Sequence, residues 1–361
     1  MRRALALAAQ ADYLTSPNPM VGAVVLDRAA EPAGEGFHAR AGDPHAERLA
    51  LERAGARAQG GTLFVTLEPC SHVGRTPACA DAVVAAGIAR VVVAMEDPDQ
   101  RVAGSGLLQL RKAGIAVEVG VEEQAARRLN RFYVKQRTTG LPWVTARFGA
   151  SLDGKIATST GESRWITSEA ARLESHRLRQ SHDAILVGAG TVVADDPELT
   201  NRLPEPARQP IRVVVDSTLR IPSTARVFTG LEIAPTLVVT TPQASEEAIA
   251  DLRKTGVEVV KVAAGSEGRV DLAQVLRLLG ERGLLSVLIE GGGDVNGAFF
   301  DEGLVDGVVA FLAPIIIGGR DAPGAVGGQG AKRLADAFRL TNLEVKKIGD
   351  DLMVSGECSR E

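Results

Sequence analysis

The chain has few of the features that mark secreted, membrane-spanning or nucleic-acid-binding proteins. Its 361 residues include only three cysteines, too few for a disulfide framework. No apolar run reaches the roughly 18 residues that a membrane-spanning helix needs. Aromatic residues make up 4% of the chain and the formal net charge is -4, which counts against a stacking groove or a basic surface for nucleic acid. These absences favour a globular cytoplasmic protein with neither a membrane nor a nucleic-acid partner.

The chain has enough apolar residues to form the hydrophobic cores of two domains. It is longer than one ordinary core allows, and the β-α alternation of residues 1–120 indicates a parallel or mixed sheet covered by helices. A second series of strand signals follows the polar stretch KQRTTGLP. We therefore expect an α/β fold with two domains, residues 1–143 and residues 144–361.

Short runs of β-branched residues bounded by turn residues predict where the strands lie. In the first domain we expect strands over 21–27, 61–70 and 90–98, and helices over 45–58 and 76–87. In the second we expect strands over 143–149, 184–188, 211–217, 236–241, 257–262, 286–293 and 307–317.

Four residues of the first domain form the pattern of a catalytic zinc site. His45, Cys70 and Cys79 supply one imidazole and two thiols, and Glu47 follows the histidine by two positions in PHAE. Three such ligands hold zinc and leave a fourth position for water, whose protons a nearby carboxylate can move. The pattern H-x-E…P-C-x-x-C is that of zinc deaminases, from which this chain departs in the longer gap between its cysteines.

The predicted helices would bring this motif together. His45 and Glu47 fall in the first turn of one helix, and Cys70 and Cys79 at and near the start of the next. Positive helix ends favour thiolate and hydroxide. Two simpler interpretations stay open at this stage: a structural zinc, or buried cysteines without a metal. Structural sites usually have four protein ligands, whereas three are obvious here.

Longer segments carry a resemblance to a known family. The segments are TSPNPMVGAVV (15–25), GEGFHARAGDPHAE (34–47), VTLEPCSHVGRTPACADAV (65–83), SLDGKIATSTGESRWITS (151–168), ILVGAGTVVADDPELTNR (185–202) and LIEGGGDVNGAFFDEG (288–303). Over essentially its whole length the chain resembles the bifunctional riboflavin biosynthesis proteins, in which a pyrimidine deaminase is fused to a reductase. Val73 and Ala78 depart from the family's usual histidine and proline, and neither change removes a ligand.

The resemblance implies both fold and chemistry. The first domain would be a three-layer α/β/α domain like that of cytidine deaminases, and the second an α/β domain like that of dihydrofolate reductase. Zinc would support deamination of a diaminopyrimidinone that carries a ribosylamino 5′-phosphate. NADPH would then reduce the ribosylamino side chain to ribitylamino. Because the second half exposes strand edges, we also expect a homo-oligomer, either a dimer or a tetramer.

The resemblance also assigns residues of the deaminase half. Asn18 and His38 would contact the pyrimidine or its sugar, and Arg75 would contact the phosphate. An amide can bridge donor and acceptor ring edges, and a guanidinium suits phosphate. The alternatives are that Asn18 only makes a turn in P-N-P and that Arg75 is a solvated loop charge.

In the reductase half the resemblance assigns a larger set. Residues expected to contact NADPH are Gly149, Trp165, Thr191, Asp195, Ser217, Gly292, Gly293, Asp294, Val295, Asn296, Gly297 and Ala298. Those expected to contact substrate are Ser163, Arg179, Leu199, Arg202 and Glu290, with Lys155 and Asp195 as candidates for proton transfer. From the residues alone these glycines could equally form tight turns, since none matches G-x-G-x-x-G, and Trp165 could be a core aromatic. Arg179 and Arg202 could be surface charges, and no separate clamp for a 2′-phosphate is evident.

Two other functions compete with this interpretation. A deaminase acting on nucleic-acid bases, with a second domain for binding, requires a basic, aromatic-rich groove that the composition does not favour. A non-enzymatic nucleotide sensor with a structural metal requires that the zinc site be closed to water.

Overall fold

The computed structural model describes residues 1–71, 78–204 and 208–359, and the chain divides into two compact units, Met1–Gly140 and Leu141–Glu361. The helices of the first unit are α1 (Arg2–Ala8), α2 (Ala46–Ala54), α3 (Cys79–Ala85), α4 (Ser105–Lys112), α5 (Glu123–Leu129) and α6 (Arg131–Thr139). Its strands are β1 (Gly22–Leu26), β2 (Pro32–Phe37), β3 (Thr62–Val65), β4 (Arg90–Val93) and β5 (Ala116–Val119). No helix in the described part of the chain has the length and hydropathy needed to cross a bilayer.

The first unit is built around a five-stranded sheet in the order β2-β1-β3-β4-β5. Strand β1 is antiparallel to both of its neighbours, and β3, β4 and β5 run parallel. Successive side chains point to opposite faces of a strand. Val25 and Leu63 therefore pack in one core with α2, α3 and α4, whereas Val24 and Phe64 pack with α1. The result is a three-layer α/β/α arrangement.

Strand β2 has no counterpart among the predicted elements, and its glycines explain why. A side chain at Gly34 would lie 2.2 Å from the carbonyl oxygen of Ala50, and one at Gly36 would lie 2.6 Å from Cβ of Leu49. Helix α2 thus packs directly on the backbone of PAGEGF. This close packing requires glycine, which removes the β-branched signal by which strands are recognised.

The second unit has a nine-stranded sheet in the order β10-β9-β8-β7-β11-β6-β12-β14-β13. Its strands are β6 (Trp143–Ser151), β7 (Ala184–Gly188), β8 (Ile211–Val215), β9 (Thr236–Thr240), β10 (Glu258–Lys261), β11 (Ser286–Ile289), β12 (Gly307–Ala313), β13 (Arg339–Ile348) and β14 (Asp351–Ser359). Its helices are α7 (Glu169–Ser181), α8 (Ala189–Asp195), α9 (Glu246–Lys254), α10 (Leu272–Glu281) and α11 (Gly293–Asp301).

The strand order of this sheet reverses near its centre. Strands β7, β8, β9 and β10 extend to one side, while β11 returns to lie between β7 and β6, and β12 lies beyond β6. These seven strands are parallel to one another, whereas β14, on the other side of β12, is antiparallel to it. In open α/β sheets, ligands bind beyond the carboxyl ends of strands at such a reversal. A ligand-binding site is therefore expected at the carboxyl ends of β6, β7 and β11.

The seven parallel strands were all expected from apolar runs, and β7 has the same bounds as the predicted strand over 184–188. The hairpin of β13 and β14 was not expected. Strand β13 forms the edge of the sheet and is almost entirely exposed, so its residues RLTNLEVKKI lack a buried apolar face.

Candidate functional site

The three side chains expected to bind zinc lie together. Their ligand atoms are all within 4.8 Å of one another. His45 Nδ1 is 3.1 Å from Cys79 Sγ and 3.7 Å from Cys70 Sγ. His45 is the N-cap of α2 and Cys79 is the first residue of α3, so the starts of two helices meet at this cluster. Cys70 lies in the segment before α3, where the backbone N–H of Cys79 donates to its sulfur at 3.4 Å.

The chemistry of this donor set fits zinc. One imidazole nitrogen and two sulfurs are ligands that zinc prefers, and the set leaves one tetrahedral position without a protein ligand. Hydrogen bonding from Cys79 lowers the pKa of Cys70 to about 4, with a further contribution from His45. The hydrogen bond between the two cysteines, together with burial, raises the pKa of Cys79. The cluster therefore already favours one thiolate, the form of cysteine that binds metal.

Glu47 lies beside this cluster in the first turn of α2. Its side chain is only 3% exposed, and burial raises its pKa to about 7. A cavity of about 530 Å³ is lined by Glu47, His45 and Cys70. A carboxyl group whose pKa is near 7 and which lines a cavity can both accept and return protons.

Asn18 and His38 line the same cavity and contact each other. His38 Nδ1 lies 3.2 Å from the carbonyl oxygen of Pro44, so this nitrogen must carry the proton and donate it. His38 Nε2 is then an acceptor, and it receives the amide N–H of Asn18 at 3.2 Å. One amide N–H and the amide oxygen of Asn18 remain for a ligand. Asn18 therefore does more than shape a turn.

The sequence analysis missed part of the cavity lining, namely Asp97, Asp99, Arg101, Tyr133 and Arg137. Tyr133 donates its hydroxyl to Asp97 at 3.1 Å, and burial raises the pKa of Asp97. Hydrogen bonding from Arg101 lowers the pKa of Asp99 to about 2. The acids follow the carboxyl end of β4, and that position in the parallel part of the sheet is the signal that could have found them. Arg75 lies outside the described residues.

In the second unit, several of the expected cofactor residues lie at the carboxyl ends of β6, β7 and β11. Thr191 Oγ1 accepts the backbone N–H of Gly292 at 3.0 Å, which links the segments after β7 and β11. A side chain added at Gly292 would meet only this oxygen, at 3.7 Å, so the space above the start of α11 is open. The first N–H groups of that helix lack intrahelical partners, and together with this open space they fit a phosphate group.

Other residues of the same segment have a packing role. A side chain at Gly293 would lie 2.6 Å from the carbonyl oxygen of Gly324, and one at Gly297 would lie 2.3 Å from the backbone of Gly327. Asn296 is fully buried and donates to the carbonyl oxygen of Ala325 at 2.9 Å. These three positions seat α11 on the segment 324–328. Within the predicted cofactor loop, space for a ligand is therefore found at Gly292 and not at Gly293 or Gly297.

The remaining predicted reductase residues occupy varied environments. Trp165 is 69% exposed with the guanidinium of Arg172 4.4 Å from its ring, which rules out the core-aromatic alternative. Asp195 ends α8, where its carbonyl oxygen accepts a hydrogen bond from Arg164 at 2.6 Å. Lys155 donates to the carbonyl oxygen of Ala322 at 2.8 Å. Ser163 is half-buried, Ser217 follows β8, and Asp294 and Val295 lie in the first turn of α11 with Ala298 one turn further on.

Arg179 and Glu290 form a buried ion pair. Nε and Nη2 of Arg179 each donate to Glu290 at 2.8 Å, and Nη1 donates to the carbonyl oxygen of Thr200 at 2.8 Å. Arg179 is therefore no surface charge, and its guanidinium is already held by the protein. Arg202 is more exposed, and its backbone N–H donates to His176. Leu199, between them in sequence, is buried with a φ of 56°.

The charge of Glu290 makes the stability of the second unit depend on pH. Burial opposes its ionisation, but Arg179 and Arg147 outweigh burial and lower its pKa to about 2. A depressed carboxyl pKa stabilises the folded state above the unfolded pKa of roughly 4.3, and this contribution is lost as the pH falls toward 2.

We therefore expect the stability advantage of the wild type over Glu290→Gln to shrink by about 3 kcal/mol between pH 6 and pH 2. Urea unfolding followed by tryptophan fluorescence measures this, because both tryptophans, Trp143 and Trp165, belong to the second unit. An advantage that stayed constant over this range would contradict the assigned charge.

Known protein families match both halves of the chain. The family model of the RibD C-terminal domain matches residues 142–354. The model of the cytidine and deoxycytidylate deaminase zinc-binding region matches residues 1–95. The riboflavin biosynthesis protein RibD of Bacillus amyloliquefaciens is 44% identical over 355 residues, which cover 98% of this chain and 94% of that protein. The RibD protein of Escherichia coli is 41% identical over 364 residues, covering 98% and 96%.

Solved structures give the same result. RibD of Acinetobacter baumannii aligns with a TM-score of 0.88 at 37% identity, covering 99% of this chain and 97% of that one. A Thermotoga maritima structure aligns with a TM-score of 0.83 at 36% identity and the same coverage. The expected deaminase-like and reductase domains are thus confirmed, and the competing nucleic-acid and sensor hypotheses are not favoured. The chain belongs to the RibD family of riboflavin biosynthesis proteins and is a bifunctional zinc-binding deaminase and NADPH-dependent reductase.

Proposed function

We propose that residues 1–143 deaminate a phosphorylated diaminopyrimidinone bearing a ribosylamino group, and that residues 144–361 then reduce its ribosyl side chain. The observation that carries this proposal is the cavity lined by His45, Cys70 and the buried Glu47. The Thermotoga maritima structure is described as a diaminohydroxyphosphoribosylaminopyrimidine deaminase and a 5-amino-6-(5-phosphoribosylamino)uracil reductase, which names the substrates of both steps in that relative.

In the deaminase half, each residue has a separate task. His45, Cys70 and Cys79 would hold zinc, which supplies Lewis-acid activation of water near neutral pH. Asn18, fixed by His38, presents its remaining amide N–H and oxygen to the edge of the pyrimidine ring. The carboxylate of Glu47 takes the proton of the attacking water and delivers it to the departing amino group, which leaves as ammonia.

In the reductase half, NADPH supplies the hydride, and the protein supplies alignment and protons. The open start of α11 at Gly292 would hold a phosphate of the cofactor. Glu290 keeps Arg179 in one orientation, so that the remaining hydrogens of the guanidinium are fixed toward the substrate phosphate. Lys155 and Asp195 are the candidates for donating the proton when the opened ribose imine accepts hydride.

We also propose a cytoplasmic homo-oligomer, either a dimer or a tetramer. All three cysteines are free, as is usual in a reducing compartment. Strand β13 leaves one edge of the nine-stranded sheet open and exposes Leu343 and Val345. An exposed edge of this kind is a template for pairing with a second chain.

One incubation tests the two activities separately. The full chain is given the phosphorylated diaminopyrimidine, and ammonia release and NADPH oxidation are followed in parallel, with and without a zinc chelator. We expect the chelator to stop ammonia release, whereas a substrate already deaminated is still reduced. Asp195→Asn should slow reduction and spare ammonia release. Undiminished ammonia release from chelated protein shown by elemental analysis to lack zinc would refute the deaminase half of the proposal.

A further inference from the structure

The loop that follows β8, residues 216–221, is held in a fixed conformation by a buried acid. Asp216 is 2% exposed, and its carboxylate accepts the backbone N–H of Ile221 at 3.0 Å and that of Thr218 at 3.4 Å. Leu219 takes a φ of 55° within this turn. The backbone of Arg220, which lies between Leu219 and Ile221, is thereby set before any ligand arrives.

Arg220 lies toward the site at the end of β7. Its Nη2 is 3.9 Å from the position that a Cβ would take on Gly190, and Gly190 precedes the expected cofactor residue Thr191. Because Gly190 has no side chain, the guanidinium lies close to the first turn of α8. Arg220 is exposed, and no ion pair involving it occurs among the described residues. It is therefore a positive charge available to a ligand.

Ser217, at the start of the same loop, is also held in place. Its Oγ accepts the backbone N–H of Val270 at 3.1 Å, so its own hydroxyl hydrogen remains free to donate. Its carbonyl oxygen accepts the hydroxyls of Thr240 and Thr241, which fixes the end of β8 against the end of β9. Ser217 and Arg220 thus offer a hydroxyl donor and a guanidinium on one rigid loop.

The charges of the expected cofactor residues indicate what this loop binds. That set contains two acids, Asp195 and Asp294, and no cation. NADPH differs from NADH by a 2′-phosphate on the adenosine ribose, whose negative charge requires a positive partner. In nucleotide-binding sheets with a reversal of strand order, an arginine beside the crevice can accommodate this phosphate.

We propose that Arg220 binds the 2′-phosphate of NADPH, with the hydroxyl of Ser217 as a second donor. This proposal rests on the cofactor site described above and goes beyond it by assigning the residue that selects NADPH over NADH. A guanidinium can donate two parallel hydrogen bonds to one phosphate, which gives both affinity and selectivity.

The test measures binding directly. Isothermal titration calorimetry on the full chain gives the Kd of NADPH, NADH, adenosine 2′,5′-bisphosphate and adenosine 5′-monophosphate. We expect Arg220→Gln to raise the Kd of NADPH and of the bisphosphate about tenfold to a hundredfold and to leave the Kd of NADH and of the monophosphate unchanged. The Kd of NADPH for Arg220→Lys should lie between the values for the wild type and for Arg220→Gln. Arg277→Gln, the same substitution at an exposed position of α10, is the matched control and should change none of these values.

The possible outcomes distinguish a failure of the Arg220 assignment from a failure of the proposed cofactor site. An equal loss of affinity for NADPH and NADH in Arg220→Gln would mean that Arg220 only maintains the loop, and it would overturn the proposal. Unchanged affinity for both would overturn it as well. If the wild-type chain bound neither dinucleotide, the proposed cofactor site would fail and this assignment with it. A loss confined to the two ligands that carry a 2′-phosphate would establish it.

Discussion

Glu47→Gln is expected to lower the rate of ammonia release by about two to four orders of magnitude while the protein keeps its zinc. Proton transfer by a positioned side chain contributes a factor of this size, and an amide cannot accept and return the proton. The glutamine has nearly the same volume, so the buried turn of α2 keeps its packing. Ammonia release is measured with the phosphorylated diaminopyrimidine, and zinc content by elemental analysis.

Glu52→Gln is the matched control, because Glu52 lies on the exposed face of the same helix. It should leave ammonia release unchanged, and both variants should reduce a substrate that is already deaminated at the wild-type rate. Near wild-type ammonia release by Glu47→Gln would remove Glu47 from the mechanism. Loss of zinc together with loss of activity would instead indicate that Glu47 supports the metal ligands.

Arg179→Met is expected to destabilise the second unit by about 3–5 kcal/mol and to abolish reduction. The substitution leaves Glu290 buried without the partner that donates two hydrogen bonds to it, and Arg147 at 3.8 Å is too distant to replace them. Breaking a buried pair by removing one partner costs about this much, because an uncompensated charge remains inside the protein. Urea unfolding followed by tryptophan fluorescence reports the loss.

Two further variants separate stability from activity. Arg177→Met removes a neighbouring exposed arginine on the same helix, paired with Glu174 at the surface, and should cost less than about 1 kcal/mol. The double variant Arg179→Met, Glu290→Gln removes this pair and should recover part of the lost stability without restoring reduction, because Arg147 then loses the carboxylate 3.8 Å away but keeps its hydrogen bond to Ser175. If the double variant were no more stable than Arg179→Met alone, the cost would come from lost packing and not from the unpaired charge.

The central strands were predictable because burial on both faces leaves a simple signature. AILVG and IRVVV lie in the middle of a parallel sheet, where both faces are covered, and nine of their ten residues are apolar or glycine, with Arg212 as the exception. The elements that were missed lie where this rule does not apply. Strand β2 has glycines imposed by the contact with α2, and β13 has an exposed edge where polar residues are tolerated.

The cluster of His45, Cys70 and Cys79 was predictable for a different reason. Each half of the motif is local, with His45 and Glu47 at one helix start and Cys79 at another, so spacing alone indicates the chemistry. Other residues that line the cavity, such as Asp97 and Tyr133, lie on segments distant from this motif in sequence. The pairing of Arg179 with Glu290 spans 111 residues in the same way.

By itself, therefore, the sequence determined the fold class and the two-domain organisation, and it predicted the donor set for zinc and the carboxylate beside it. These properties depend on residue type and short spacing, which are visible in one dimension. Only the tertiary structure decided which side chains are already engaged and which remain free. Arg179 is held by a buried acid and Arg220 is not, and that difference depends on how distant segments meet in the folded chain.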